Sequence, residues 1–180
     1  LFDIYREQAL ETFEAGSLDR FSLSGYRKAN SEIAINKQFH APLSDSNACL
    51  SWRVTHPGNE KVELSFNPPL TYRDLGKYIY IWVYGTQAPG KLYVYLRDTY
   101  NRRHQLELGR VNYRGWKKLK VGLPSHVQQK DFYIAERRNV KVERLMYLPG
   151  PISREKKRQI LFIDELGAKL RPRYELPNPR

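Results

Sequence analysis

A chain of 180 residues is long enough to bury one full core and short for two, and 41% hydrophobic with 28% charged residues is an ordinary globular composition. Its single cysteine, Cys49, excludes an intramolecular disulfide and a cysteine-based zinc cluster and reads as a small buried hydrophobe. No apolar run approaches the roughly 20 residues needed to span a bilayer, so membrane insertion is not expected, while a net charge of +12 favours an acidic partner. That charge is unevenly placed. Residues 101–160 carry 16 Lys and Arg against 5 Asp and Glu, and the first hundred residues balance. Thirteen Tyr against one Met is a strand-favouring bias. The chain opens at Leu1 with no initiator Met and no basic-apolar leader, as expected of a secreted protein whose signal peptide has been removed.

In chain order, residues 1–15 form an arm or a short helix: helix formers occupy the middle, but the spacing of Ile4, Tyr5, Leu10 and Phe13 is an imperfect helical one. Residues 16–170 read as one β domain. A first strand carries Phe21 and Leu23 inward, a second spans Glu32–Gln38, and Pro42–Asn47 is a polar loop. Ala48–Val54 and Lys61–Phe66 are strands separated by a Pro57-Gly58 turn, a candidate hairpin. Asn67-Pro68-Pro69-Leu70 is expected to stop strand pairing, because proline has no N–H to give.

The most regular stretch follows. Tyr78, Tyr80, Trp82 and Tyr84 alternate with Ile79, Ile81 and Val83, and the period of two returns in Leu92-Tyr93-Val94-Tyr95-Leu96. The Gly85–Gly90 segment between them turns the chain, which suggests an antiparallel hairpin. The Ile, Val and Leu side is the expected core. Tyr78, Tyr80, Trp82, Tyr84, Tyr93 and Tyr95 then form an aromatic face to be covered in part by a neighbouring subunit or by the chain's own arm, with a strand buried on both sides as the alternative. Strands at Arg103–Leu108, Trp116–Val121, Val140–Leu148 and Ile160–Leu170 complete the pattern, and residues 171–180 are a proline-rich tail. About nine short strands with turns between them specify an all-β fold, an antiparallel β-sandwich of jelly-roll type with extended N- and C-terminal arms.

No nucleophile elbow, zinc-protease helix, phosphate loop or dinucleotide fingerprint is present, and His40, His56, His104 and His126 are scattered. Carboxylates such as Asp74, Asp98, Asp164 and Glu165 carry no spacing that singles out a hydrolytic pair. No cofactor or metal is assigned, since Glu14 and Asp164, near the first and last strands, supply two carboxylates where calcium takes about 6 to 8 oxygens. The basic segment interleaves Tyr113 and Trp116 with Arg102, Arg103, Arg110, Arg114, Lys117, Lys118 and Lys120. That interleaving is also met in single-stranded nucleic-acid binders. Trp116, directly after a Gly turn, reads instead as a core anchor, and the charges read as a face for a protein partner or as solvated surface rather than a nucleic-acid site.

The runs YIYIWVYG, KLYVYLRD, ELGRVNYRGWKKLKVGLP and ILFIDEL, in that order, resemble the spirochaete flagellar filament outer-layer (sheath) protein family, FlaA. The likeness is good over Tyr78–Pro124, adequate over Ile160–Leu166, and general before them. The chain departs from that pattern at Asn101, where Gly is expected, in the loop Arg154–Arg158 and in its basicity. The resemblance implies a sandwich akin to carbohydrate-binding modules and a non-catalytic periplasmic protein that coats a flagellin core, contacts other sheath subunits in a helical assembly, and contributes to filament stiffness, curvature and motility. The alternative is a non-catalytic carbohydrate-binding module.

Overall fold

A computed structural model describes residues 4–14, 16–25, 31–55, 61–73, 75–129, 139–150 and 158–171, and these described residues form eleven strands and one 3-10 turn, Leu18–Arg20. The strands are β1 (Arg6–Glu11), β2 (Phe21–Gly25), β3 (Ser31–Asn36), β4 (Cys49–Thr55), β5 (Val62–Tyr72), β6 (Leu75–Thr86), β7 (Lys91–Arg97), β8 (Arg103–Arg110), β9 (Arg114–Gly122), β10 (Val140–Leu148) and β11 (Arg158–Arg171). They build two antiparallel sheets, a jelly-roll sandwich. The first has the order β3-β4-β11-β6-β9, with β1 added to β11; the second has the order β2-β5-β10-β7-β8. Residues 56–60, 130–138, 151–157 and 172–180 lie outside the described residues, and with them His56, the Pro57-Gly58 turn, most of the loop Arg154–Arg158 and the tail; Asp74 does too.

The core is what the alternation dictates. Ile79, Ile81 and Val83 from β6 and Leu92, Val94 and Leu96 from β7 are fully buried between the sheets, with Leu50, Trp52, Leu64, Leu145 and Ile163. Cys49 is buried as well. Period-two apolar strands gain this burial only by meeting a second sheet face to face.

Pairing departs from the sequence reading in three places. β6 and β7 do not form a hairpin: β6 pairs with β11 and β9, β7 with β10 and β8, so residues 87–90 carry the chain across the sandwich. The same holds for β4 and β5, which belong to different sheets. Asn67-Pro68-Pro69 does not end its strand; Ser65 opposes Arg144 and Leu70 opposes Val142, so the residues between them form a local bulge and β5 resumes to Tyr72. Proline's missing N–H interrupts the ladder without terminating it. Of the two options for residues 1–15, Arg6–Glu11 take the extended one, pairing with Leu166–Leu170 of β11. Asn101 has φ 65° and so fills the position where a glycine would be equally at home.

The crossover after β6 is tight. A Cβ on Gly90 would overlap the ring of Tyr147, which is fully buried and donates its hydroxyl hydrogen bond to Gln159 Oε1. Gly90→Ala is expected to lower unfolding free energy by about 1–3 kcal/mol, because the ring cannot withdraw without losing its partner; urea denaturation of the variant measures it.

Candidate interaction faces

The six aromatic residues picked out by alternation do not share one surface. Tyr78, Tyr80, Trp82 and Tyr84 lie on the outer face of the first sheet, and Tyr93 and Tyr95 on the outer face of the second, on the opposite side of the sandwich. Crossing between sheets is the reason: it keeps the aliphatic side inward on both strands and sends the aromatic sides apart.

The outer face of the first sheet is covered in part by the chain itself. At one end, Phe39, just after β3, packs with centroid distances of 4.7 Å to Tyr84, 5.2 Å to Trp116 and 4.9 Å to Phe162. Trp116 is therefore on the outer face opposite Tyr84 and not in the core, since Leu119 is the inward residue that opposes Ile81. At the other end, the Tyr78 hydroxyl donates to Glu7 Oε1 of β1 at 2.5 Å, and Lys118 pairs with the same carboxylate. Lys118 Nζ sits 4.7 Å from the Tyr80 ring centroid and Lys120 Nζ 4.8 Å from that of Tyr78. Each is a cation over a ring face, favoured by the ring quadrupole. Burial alone would raise the Glu7 pKa, but the hydrogen bonds from Lys118 and Tyr78 and the charges of Lys118 and Lys120 bring it below the ordinary value. Tyr80 is 1% exposed, and its ring crosses β11 at Gly167, where a Cβ would overlap its hydroxyl end and the Gln8 carbonyl. Burial, then the Glu165 carboxylate that accepts its hydrogen bond at 3.2 Å, pushes the Tyr80 pKa far up.

The outer face of the second sheet carries its own aromatic residues. Tyr93 and Tyr95 are half-buried there, with Arg144 Cζ 4.7 Å from the Tyr95 centroid. Arg144 donates to Glu63 Oε2 at 2.8 Å while its Nε, buried, has no hydrogen-bond partner. The Tyr95 hydroxyl donates to Gln105 Oε1 at 3.0 Å.

The seven basic residues do not converge on one patch either. β8 and β9 are edge strands of the two sheets and lie against each other, making one flank of the sandwich. Arg102 and Arg103 sit at one end of β8 and Arg110 at the other, so its 8 residues, at about 3.3 Å each, separate them by about 25 Å. Arg114 and Lys117 are exposed near the start of β9, with Lys117 Nζ 5.3 Å from the Tyr113 ring, and Arg103 reaches Glu143 at 3.9 Å. A charged flank is also what keeps two exposed sheet edges from pairing with other chains.

One cluster is not apparent from sequence spacing. The buried Asp98 accepts from the amides of Tyr100 (3.0 Å), Arg102 (2.9 Å) and Gln128 (3.3 Å) and bonds His104 Nε2 at 2.7 Å; the His104 ring lies 5.4 Å from that of His126. It ties the β7–β8 turn to the segment after β9, leaving the carboxylate no free oxygen for acid–base work. Burial would raise its pKa, but the bonds from His104, Arg102 and Gln128 bring it below the ordinary value. Asp164, 1% exposed, behaves oppositely: burial raises its pKa, opposed by bonds from the Ser46 hydroxyl and the Ala41 amide and reinforced by the Glu14 charge. Among the described residues no three His, Cys, Asp or Glu side chains form a metal-binding group, and no helix is long and apolar enough to cross a membrane.

Comparison with known proteins adds family and fold. Residues 73–168 match the family described as "Flagellar filament outer layer protein Flaa". No curated protein matches the chain. Among solved structures, a family 61 carbohydrate-binding module in complex with beta-1,4-galactotriose is 15% identical with a TM-score of 0.58, over 92% of this chain and 99% of that one. The family 11 carbohydrate-binding module of Lic26A-Cel5E from Clostridium thermocellum is 9% identical with a TM-score of 0.51, over 91% and 94%. The Endo-D glycoside hydrolase domain structure from Streptococcus pneumoniae R6 is 9% identical with a TM-score of 0.59, over 83% of this chain and 21% of that one. At these identities the likeness is one of fold.

Two outcomes follow from this geometry. Tyr80→Ala should cost about 3 kcal/mol or more of stability as a buried aromatic, whereas Tyr93→Ala, half-buried on the other sheet, should cost about 1 kcal/mol; thermal melts of the two variants compare them. Because the Asp98 pKa is lower folded than unfolded, its contribution is complete above the ordinary aspartate range and is lost as pH falls through that range, below about pH 4. Asp98→Asn should therefore be less stable at neutral pH and show a shallower loss of stability on acidification, read from unfolding free energy against pH.

Proposed function

The chain belongs to the flagellar filament outer layer protein family, FlaA, and on that premise we propose that it is a structural subunit of the sheath of a spirochaete's periplasmic flagellum. In this reading it coats a flagellin core beside other sheath subunits, contributes to filament stiffness, curvature and motility, and catalyses nothing. The observation that carries the reading is the family match over residues 73–168, a span that takes in β6 to β10 and most of β11, and with them the aromatic residues of β6 and β7 and the basic flank of β8 and β9.

A sheath subunit must present several different surfaces at once, one to the filament below and others to lateral neighbours in a helical lattice. The geometry supports a division of labour. The basic flank of β8 and β9 steers toward an acidic neighbour, with charge spread along an edge where a filament contact would be long. The half-buried tyrosines of the second sheet supply aromatic anchoring area of the kind protein interfaces use. On the first sheet Phe39 and Glu7 already take up part of the aromatic face, at Tyr84 and Tyr78.

A second reading rests on Tyr93, Tyr95 and Arg144, whose rings and guanidinium on an open sheet also suit a sugar, as in a carbohydrate-binding module. A glycan array separates the two. Sheath function predicts saturable co-sedimentation with flagellar filaments and no glycan affinity; saturable glycan binding without filament association would reverse the assignment.

Charge is the second handle on the sheath reading. Association should weaken with salt, since exposed charges are screened over about 8 Å at physiological ionic strength. Arg110→Glu combined with Arg114→Glu should lower filament association several-fold with an unchanged melting temperature, whereas Lys118→Glu should lower the melting temperature itself, because Lys118 is paired within the fold. Co-sedimentation and melting of both variants test this, and unchanged binding by the double variant at low salt would remove the flank from the interface.

A further inference from the structure

His104 stands at the start of β8, on the same inward face as the buried Leu106 and Leu108, and its side chain is 12% exposed. The Asp98 side chain beside it is fully buried. Two neighbouring cations turn away from that carboxylate, since Arg97 and Arg103 both reach Glu143 on the outer face of the second sheet. Of the described side chains only His104 bonds Asp98, so one imidazole and three amides hold a buried carboxylate. A buried charge with so little countercharge is costly.

That bond also fixes the state of the ring. An ionised carboxylate only accepts, so Nε2 carries the hydrogen, and on a neutral ring the lone pair lies on Nδ1. Nδ1 makes no hydrogen bond among the described residues, and neither does the exposed imidazole of His126, whose centroid lies 5.4 Å from that of His104. Metal-binding imidazoles are oriented in this way, with the far nitrogen held by a carboxylate. The spacing fits as well. Two imidazoles on one ion, each at about 2.1 Å and at a tetrahedral angle, put their ring centres about 5 Å apart.

We propose that His104 and His126 bind a zinc ion at this end of the sandwich, with Asp98 orienting His104 and water in the remaining positions. Imidazole nitrogens suit zinc and its copper and nickel neighbours, whereas calcium and magnesium take oxygen. The ion would supply, one ring away, the countercharge that Asp98 lacks. It would also fasten residues 123–129, which carry His126, to the start of β8. Asp98 and Thr99 already bond Gln128 of that segment, so the ion would reinforce a tie that the fold makes for itself. This proposal is independent of the filament reading, since it concerns the single subunit.

The test starts from the whole chain freed of metal by a chelator that is then dialysed away. Calorimetric titration with zinc chloride should show one ion per chain, and titration with calcium chloride should show none. Zinc should also raise the melting temperature, with the rise growing as the logarithm of its concentration. His126→Ala, at an exposed position, should melt as the unaltered chain does without zinc and should lose both the binding heat and the rise. Asp98→Asn should weaken zinc binding about tenfold or more, and His40→Ala, which alters an exposed histidine elsewhere, should bind as the unaltered chain does. If Asp98→Asn does not fold, His126→Ala and the titration of the unaltered chain decide the matter. A silent titration, or zinc binding that His126→Ala retains in full, would overturn the proposal and leave His104 as the partner of Asp98 alone.

Discussion

Strand β11 has to hold three neighbours. It shares its length with β6 on one edge and divides the other between β4 and β1. A strand has one donor and one acceptor per residue and each edge can be paired once, so two successive partners on one edge must leave a gap between them. The polypeptide closes that gap with the loop of residues 41–47, and Asp164 is buried as a consequence. The first and last strands of the domain are joined here, and the N-terminal segment owes its strand conformation to this seam.

From the seam the covering of the first sheet follows. Phe39 is carried over Tyr84, Trp116 and Phe162 by the same segment that supplies Ala41 and Ser46, and β1 brings Glu7 to Tyr78 and Lys118. An aromatic sheet face that would otherwise be a large amphipathic surface is thus covered in part within the subunit, Tyr80 fully and Tyr78, Trp82 and Tyr84 by half. The second sheet and the basic flank differ in kind: one offers rings and a guanidinium, the other charge along two strand edges.

Fold likeness and family membership answer different questions here. The likeness to carbohydrate-binding modules spans nearly the whole chain at 15% identity or less, and it reports that a jelly-roll sandwich can be built from very different side chains. The family match reports a shared sequence pattern within that sandwich. One scaffold hosts many uses, so the assignment depends on which side chains stand on the open surfaces. Among the described carboxylates, Asp98 is occupied with His104 in holding a turn, Asp164 is buried in the seam and Glu165 accepts from the Tyr80 hydroxyl.

The alternation of residues 78–84 and 92–96 was enough to decide strand type, which side chains face the core, and an all-β sandwich, because side-chain direction in a strand is a local property with a period of two. The order of motifs was enough to suggest the family. Pairing was not legible. A hairpin and a crossing between sheets leave the same residues inward, so the sequence of β6 and β7 is compatible with both, and only contacts with β9, β10 and β11, distant along the chain, choose the crossing. The fate of the aromatic residues turned on that choice, as did the position of Trp116, which a Gly turn made look like an anchor of the core and which register with Tyr84 puts outside. Asp164 and Glu14 are 150 residues apart in sequence. Nothing local in either could show that one loop would hold both, since it is the edge of β11, paired first by one strand and then by another, that brings them together.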